Sequence, residues 1–139
     1  MAAKKTTKTN QVQSVGRRKT SIARAVLKSG SGVIRVNNGD LNDMVPNQVL
    51  QLKVLEPLIL ADKMSAVDVM ITVKGGGVNS QVDAIRQAIA RGLVELFGED
   101  LKKTFVEYDR SLIVTDTRFK ETKKPNNSHA RAKRQKSYR

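Results

Sequence analysis

A strand, a glycine run and a helix in succession form the feature that most restricts how this chain folds. Val67 to Val73 alternates strictly between β-branched apolar residues and other side chains, which is the pattern of a strand with one buried face. Lys74 and three glycines, Gly75 to Gly77, follow it. Apolar residues then recur at helical spacing from Val82 to Leu96. The sequence therefore predicts a half-buried strand that turns sharply into an amphipathic helix.

Further strands are predicted before this unit. Val12 to Leu27 holds β-branched or small apolar residues without a helical stripe, which predicts one long strand bent at Gly16 to Thr20. Gly30 to Gly32 predicts a hairpin turn into a short strand at Val33 to Val36. Asn38-Gly39 is a second tight-turn signal. We expect these strands to form a meander.

Further helices are predicted on both sides of the unit. Pro46 suits the first turn of a helix over Asn47 to Leu52. Pro57 should start or kink a second short helix within Lys53 to Leu60. A helix is also expected at Glu99 to Tyr108.

The net charge of +13 lies almost entirely outside the middle of the chain. Residues 1–28 carry +8, residues 29–116 carry −3, and residues 117–139 carry +8. Charge in such blocks marks a surface or arm that meets a polyanion. Segments this poor in apolar residues do not offset their ordering entropy. We therefore expect a disordered basic N-terminus (1–11), a globular domain (12–116), and a tail (117–139) that orders only on a partner.

Composition argues against several classes of protein. The absence of cysteine excludes disulfides and thiolate metal sites. No apolar run approaches the roughly 20 residues that span a bilayer, and the basic start precedes no apolar signal region. We expect a cytoplasmic protein. The one histidine, His129, lies in the tail without partners for a metal site or a catalytic relay. We therefore expect no enzyme activity, no catalytic residue, no metal and no cofactor.

The glycine run has two interpretations. A phosphate-binding loop is one, but no Gly-Lys-Ser/Thr follows, and Ser80 stands where the dinucleotide fingerprint requires a third glycine. The other is a tight turn in which backbone packs closely. Approach of this backbone to an RNA phosphate beside Lys74 is favoured over nucleotide binding.

Two basic clusters predict binding to nucleic acid. Arg17, Arg18, Lys19 and Arg24 fall in a strand region, where alternate side chains can follow a phosphate backbone. The aromatic side chains of the tail, Phe119 and Tyr138, can stack on unpaired bases. The tail cations, each able to neutralise one phosphate, are Arg118, Lys120, Lys123, Lys124, Arg131, Lys133, Arg134, Lys136 and Arg139. Charge alone also allows a chromatin-like protein that compacts DNA.

Five separated segments and the ending resemble the universal small-subunit ribosomal protein family numbered nine. They are residues 16–25 (GRRKTSIARA), 55–58 (LEPL), 73–78 (VKGGGV), 84–93 (AIRQAIARGL), 108–112 (YDRSL) and 130–139 (ARAKRQKSYR). The ending is similar to the archaeal and eukaryotic branch, and the compact length favours an archaeal type. The chain departs from the family at Thr117, where proline is common, and at Asn126-Asn127, where glycines are common.

The resemblance implies an α+β two-layer sandwich similar to the second domain of ribosomal protein S-five, with a left-handed crossover. It also implies a structural place in the head of the small subunit, among neighbouring ribosomal proteins. The implied contacts with ribosomal RNA are Arg17, Arg18, Lys19, Arg24, Lys74, Arg86, Arg118, Lys120, Lys123, Lys124, Arg131, Lys133 and Arg134. The implied contacts of the tail tip with peptidyl-site transfer RNA are Lys136, Tyr138 and Arg139.

Overall fold

The computed structural model describes residues 11–126, 128–132, 137 and 138. Its strands are β1 (Gln11–Arg18), β2 (Ser21–Ser29), β3 (Ile34–Val36), β4 (Gly39–Asp40) and β5 (Val67–Lys74). Its helices are α1 (Leu41–Met44), α2 (Gln48–Leu60), α3 (Val78–Phe97) and α4 (Glu99–Tyr108), followed by a 3₁₀ turn at Arg110–Leu112. The predicted α+β class is confirmed. None of the helices among these residues is both long and apolar enough to cross a membrane.

The five strands form one mixed sheet in the order β1-β2-β5-β3-β4. Strand β2 pairs antiparallel with β1 and with β5. Strand β5 pairs in parallel with β3, and β3 pairs antiparallel with β4. The strand predicted at Val67 to Val73 therefore lies in the centre of the sheet, and the meander is wrong because β5 separates β2 from β3.

The first predicted strand is in fact a hairpin. Arg18 pairs with Ser21, so Lys19 and Thr20 form a two-residue turn rather than a bend. Lys19 adopts a φ of 52°, a conformation that non-glycine residues seldom take. The predicted turn at Gly30 to Gly32 begins a crossing to β3 instead of a hairpin.

The two predicted helices around Pro57 are one continuous helix, α2. Its N-cap is Asn47, whose side chain accepts the backbone N–H of Val49 at 2.9 Å. Pro46 therefore precedes the cap and does not lie in the first turn. Pro57 is buried within the helix.

Only one face of the sheet is buried. On β2 and β5 the alternate residues that face the helices are all buried: Ser21, Ala23, Ala25, Leu27, Val67, Val69, Ile71 and Val73. Helix α3 packs on β1 and β2, and α2 packs beside α3. Gly16 lets β1 approach the backbone of α3, since a Cβ there would lie 2.0 Å from the Ala84 carbonyl oxygen. The opposite face of the sheet is open.

Candidate nucleic-acid interface

Three of the predicted cations meet at the hairpin end of the sheet. Arg17 pairs with Ile22, and Ile22 pairs with Lys74, so these side chains stand in one row on the open face. Lys19 lies in the adjoining turn. All three cations are exposed, and within the described part of the chain they form no ion pair. Arg24 lies on the same face, two residues beyond Ile22 along β2.

The glycine run closes this end of the sheet. Gly75 and Gly76 have φ values of 80° and 69°, which favour glycine. A Cβ on Gly76 would lie 2.0 Å from the Ser21 hydroxyl oxygen. That hydroxyl donates to the carbonyl oxygen of Gly75 at 2.9 Å. Positive φ and close packing therefore account for Gly75 and Gly76, whereas a Cβ on Gly77 would meet nothing within 4 Å. Lys74 remains exposed beside them.

The tail leaves the core next to the hairpin. Asp116 forms a parallel backbone bridge with Arg18, and its Oδ2 atom lies 2.9 Å from Arg18 Nη1. Asp116 Oδ1 also accepts the backbone N–H of Arg118 at 2.9 Å. Hydrogen bonds from the side chain and backbone of Arg118 hold the pKa of Asp116 far below its usual value. Arg118 is thereby held to Asp116, and Asp116 is held to Arg18 at the end of β1.

Arg91 holds the segment that leads to this point. Its guanidinium donates to the carbonyl oxygens of Val15 at 2.8 Å and of Ile113 at 2.9 Å. It also donates to the Thr115 hydroxyl at 2.9 Å. This fork joins β1, α3 and the chain before the tail. Arg91 lies in the segment 84–93 that resembles the family, but the sequence of an amphipathic helix does not reveal which acceptors an arginine will reach.

An aromatic contact between Phe119 and Arg17 holds the start of the tail beside the hairpin. The Arg17 guanidinium carbon lies 5.9 Å from the centroid of the Phe119 ring, within range of a cation–π interaction. Phe119 remains 54% exposed, so a base can still stack on it. The basic residues at the end of β1 and the start of the tail thus lie side by side.

Two predicted contacts, Arg18 and Arg86, form ion pairs within the protein. Arg86 is 8% exposed, and its Nε and Nη1 atoms lie 2.5 Å from Glu56 and 2.8 Å from Asp109. Burial raises the pKa of Asp109, but hydrogen bonds from Ser111 and Arg86 lower it by more. The pKa of Asp109 therefore lies below its usual value. The placement of Arg86 argues against an RNA contact, since its charge is already compensated. Arg18 is likewise part-buried and paired with Asp116.

The other described tail residues are exposed, apart from the half-buried Ala130 and Ala132. Arg131 and Glu121 form a two-point ion pair, with Nη2 to Oε1 at 2.5 Å and Nε to Oε2 at 2.9 Å. Lys120, Lys123 and Lys124 are open to solvent, and Tyr138 is 88% exposed. The predicted contacts outside the described residues are Lys133, Arg134, Lys136 and Arg139.

The described residues hold no group of three or more histidine, cysteine, aspartate or glutamate side chains that would suit a metal ion.

Two cations that the sequence patterns did not single out, Lys28 and Arg35, lie on the open sheet face. Two-residue alternation from Arg24 along β2 would have indicated Lys28.

Comparison with known proteins identifies the family. The model of the family described as ribosomal protein S9/S16 matches residues 16–139. The small ribosomal subunit protein uS9 of Thermoplasma volcanium is 52% identical over 130 residues, covering 92% of this chain and 98% of that protein. The proteins of that name from Methanococcus maripaludis and Methanothrix thermoacetophila are 51% and 50% identical, each with the same two coverages. The chain therefore belongs to the ribosomal protein S9/S16 family, and it is of the archaeal type.

Proposed function

We propose that this chain is a structural component of the small ribosomal subunit in the cytoplasm, where it binds ribosomal RNA. The observation that carries the proposal is the family match, together with archaeal relatives named as small ribosomal subunit proteins. The protein is not an enzyme. Its exposed cations at the hairpin end supply the chemistry, because each neutralised phosphate releases counterions and adds affinity.

Position is the second part of the proposed mechanism. The Arg18–Asp116 contact and the Arg91 fork fix where the tail starts. A tail with a fixed origin explores less space before it binds, so less entropy is lost on ordering. The folded part, residues 12–116, would thus anchor the protein, and residues 117–139 would extend its reach over the RNA.

For the tail tip, we propose a contact with the peptidyl-site transfer RNA. The support is the resemblance of the ending to the family, and the exposed ring of Tyr138 suits stacking. Deleting residues 136–139 should weaken transfer-RNA binding to assembled subunits and leave the unfolding midpoint of the free protein unchanged. Unchanged transfer-RNA binding would move the contact away from Lys136, Tyr138 and Arg139.

For the finer fold, we propose the two-layer sandwich of ribosomal protein S-five's second domain, with its left-handed crossover. A parallel β3–β5 pair inside an otherwise antiparallel sheet supports this topology, because parallel neighbours require a crossover. An experimental structure of the free protein tests the handedness, and a right-handed crossover would contradict it.

Sedimentation tests the proposed function. The protein should travel with small subunits on a density gradient at physiological salt. Finding it only in the free pool would contradict the proposal. The Arg17→Gln, Lys19→Gln double variant should be retained less well than a Lys102→Gln, Lys103→Gln control with the same change in charge on α4, which packs on α3 and the 3₁₀ turn. Equal retention would exclude the hairpin end as the anchor.

A further inference from the structure

The open sheet face carries a second group of cations beyond the hairpin end. Along β2, Lys28 lies four residues from Arg24, a distance of about 13 Å for extended chain. Arg35 lies two strands across, because it pairs with Met70 and Met70 pairs with Val26. None of these cations takes part in an ion pair within the described ranges.

Apolar surface lies between these charges. Met70, between Val26 and Arg35 in one row, is 51% exposed. Two surface cavities meet there, one lined partly by Lys28 and the other partly by Thr72, and both are lined by Arg35 and Met70. The site therefore offers an apolar platform with cations and a hydroxyl at its margin.

The charge balance of the face indicates the kind of partner. Five cations, Arg17, Arg24, Lys28, Arg35 and Lys74, share it with two acids, Asp40 and Asp68. Backbone N–H groups of Ser31, Gly32 and Val33 all donate to Asp68 Oδ1 at 2.8 to 2.9 Å, so this acid is already compensated. A polyanion with flat apolar groups fits such a surface better than a neutral protein face.

We propose that the open sheet face, from Lys74 at the hairpin end to Lys28 and Arg35, binds a strand of RNA with one nucleotide packed on Met70. The inference rests on the proposed function, and it adds a surface to the hairpin end and the tail. Phosphates would lie against the cations, and a sugar or base would cover Met70. In other RNA-binding domains an exposed sheet face binds unpaired nucleotides on aromatic side chains, and here Met70 would supply the apolar contact in place of a ring.

Salt dependence of RNA binding gives the first test. The full-length Lys28→Gln, Arg35→Gln variant should bind small-subunit ribosomal RNA with a weaker dependence on salt. Between 50 and 200 mM salt, wild type should lose about seven- to twelvefold more affinity than the variant, which has two phosphate contacts fewer. The Lys102→Gln, Lys103→Gln variant, with the same change in charge, should match wild type. If the plot of log affinity against log salt concentration has the same slope for the Lys28→Gln, Arg35→Gln variant as for wild type, the inference is overturned.

Crosslinking in assembled subunits gives the second test. The chain has no cysteine, so Met70→Cys offers a unique attachment point for a short photoreactive probe. The probe should crosslink to ribosomal RNA, whereas the same probe on Lys103→Cys should not give that product. A crosslink to a neighbouring protein would overturn the inference. If both tests fail while wild type still joins small subunits, the proposed function stands without this surface.

Discussion

Arg18 Nη1 lies 2.9 Å from Asp116 Oδ2, and the two backbones form a bridge at the same place. This contact joins the end of β1 to the residue before the tail. The tail consequently begins beside Arg17, where its first residues Arg118 and Phe119 lie, and not at the far side of the domain. The cations at the end of β1 and the first tail residues therefore lie on one surface.

Replacing Asp116 by Asn should loosen the tail without unfolding the core. The variant weakens the attraction to Arg18 and to Arg118, while the buried core is untouched. Trypsin should cleave after Arg118 severalfold faster than in wild type, because cleavage follows the population of the open form. The thermal midpoint should fall only slightly, because the Arg18–Asp116 pair is part-buried but lies outside the apolar core. A matched Asp100→Asn variant on α4 should cleave at the wild-type rate, and an equal rate for both variants would contradict the role of Asp116.

Replacing Gly16 by Ala should destabilise the protein. The new Cβ would lie 2.0 Å from the Ala84 carbonyl oxygen and 2.6 Å from the Ala88 backbone nitrogen, so β1 would have to move away from α3. Urea denaturation should show a loss of at least about 2 kcal/mol, as expected for overpacking. Gly39→Ala is the control, since its Cβ would meet only Val36 oxygen at 3.7 Å. Similar effects of the two variants would contradict this packing.

Replacing Arg91 by Ala should destabilise the junction between core and tail. Two carbonyl oxygens and a hydroxyl lose their donor, which predicts a loss of about 1–3 kcal/mol in the free energy of unfolding. Arg91→Lys should recover only part of this loss, because one ammonium does not reproduce the planar fork. Arg110→Ala, at an exposed position, should stay within about 0.5 kcal/mol of wild type. An Arg91→Lys variant as stable as wild type would show that charge alone matters.

Acid should destabilise the protein partly through Asp109. Its pKa in the folded state lies below the ordinary value of 3.8. A carboxyl of this kind stabilises the fold above its unfolded pKa, and this contribution is lost as pH falls through the folded pKa. The urea concentration at the unfolding midpoint, measured from pH 6 to pH 2.5, should begin to decrease once the pH is below about 4. It should fall less steeply for Asp109→Asn than for wild type or for Asp40→Asn. Parallel curves for all three proteins would contradict the role of Asp109.

Local patterns predicted the regular elements well. The alternation of β5 and the helical spacing of α3 follow directly from burial of one face, and both elements are found. The hairpin at Lys19 was missed because its turn contains neither glycine nor asparagine, although Lys19 has a positive φ. The place of β5 between β2 and β3 depends on contacts between distant segments, which short patterns do not encode.

Charge in the sequence predicts a basic surface but not its geometry. Block charge indicated the basic surface, but it could not separate exposed cations from compensated ones. Arg86 is buried between Glu56 and Asp109, whereas Arg24 is exposed on the open face. Such a difference depends on the acids that the fold brings near each arginine.

The most direct test of the central claim compares the affinity of the full-length protein for small-subunit ribosomal RNA and for duplex DNA of equal length at matched salt. A ribosomal RNA-binding protein should prefer its RNA by about a thousandfold, the lower range of specific over non-specific recognition. Equal affinities would contradict the account and favour a general polyanion binder.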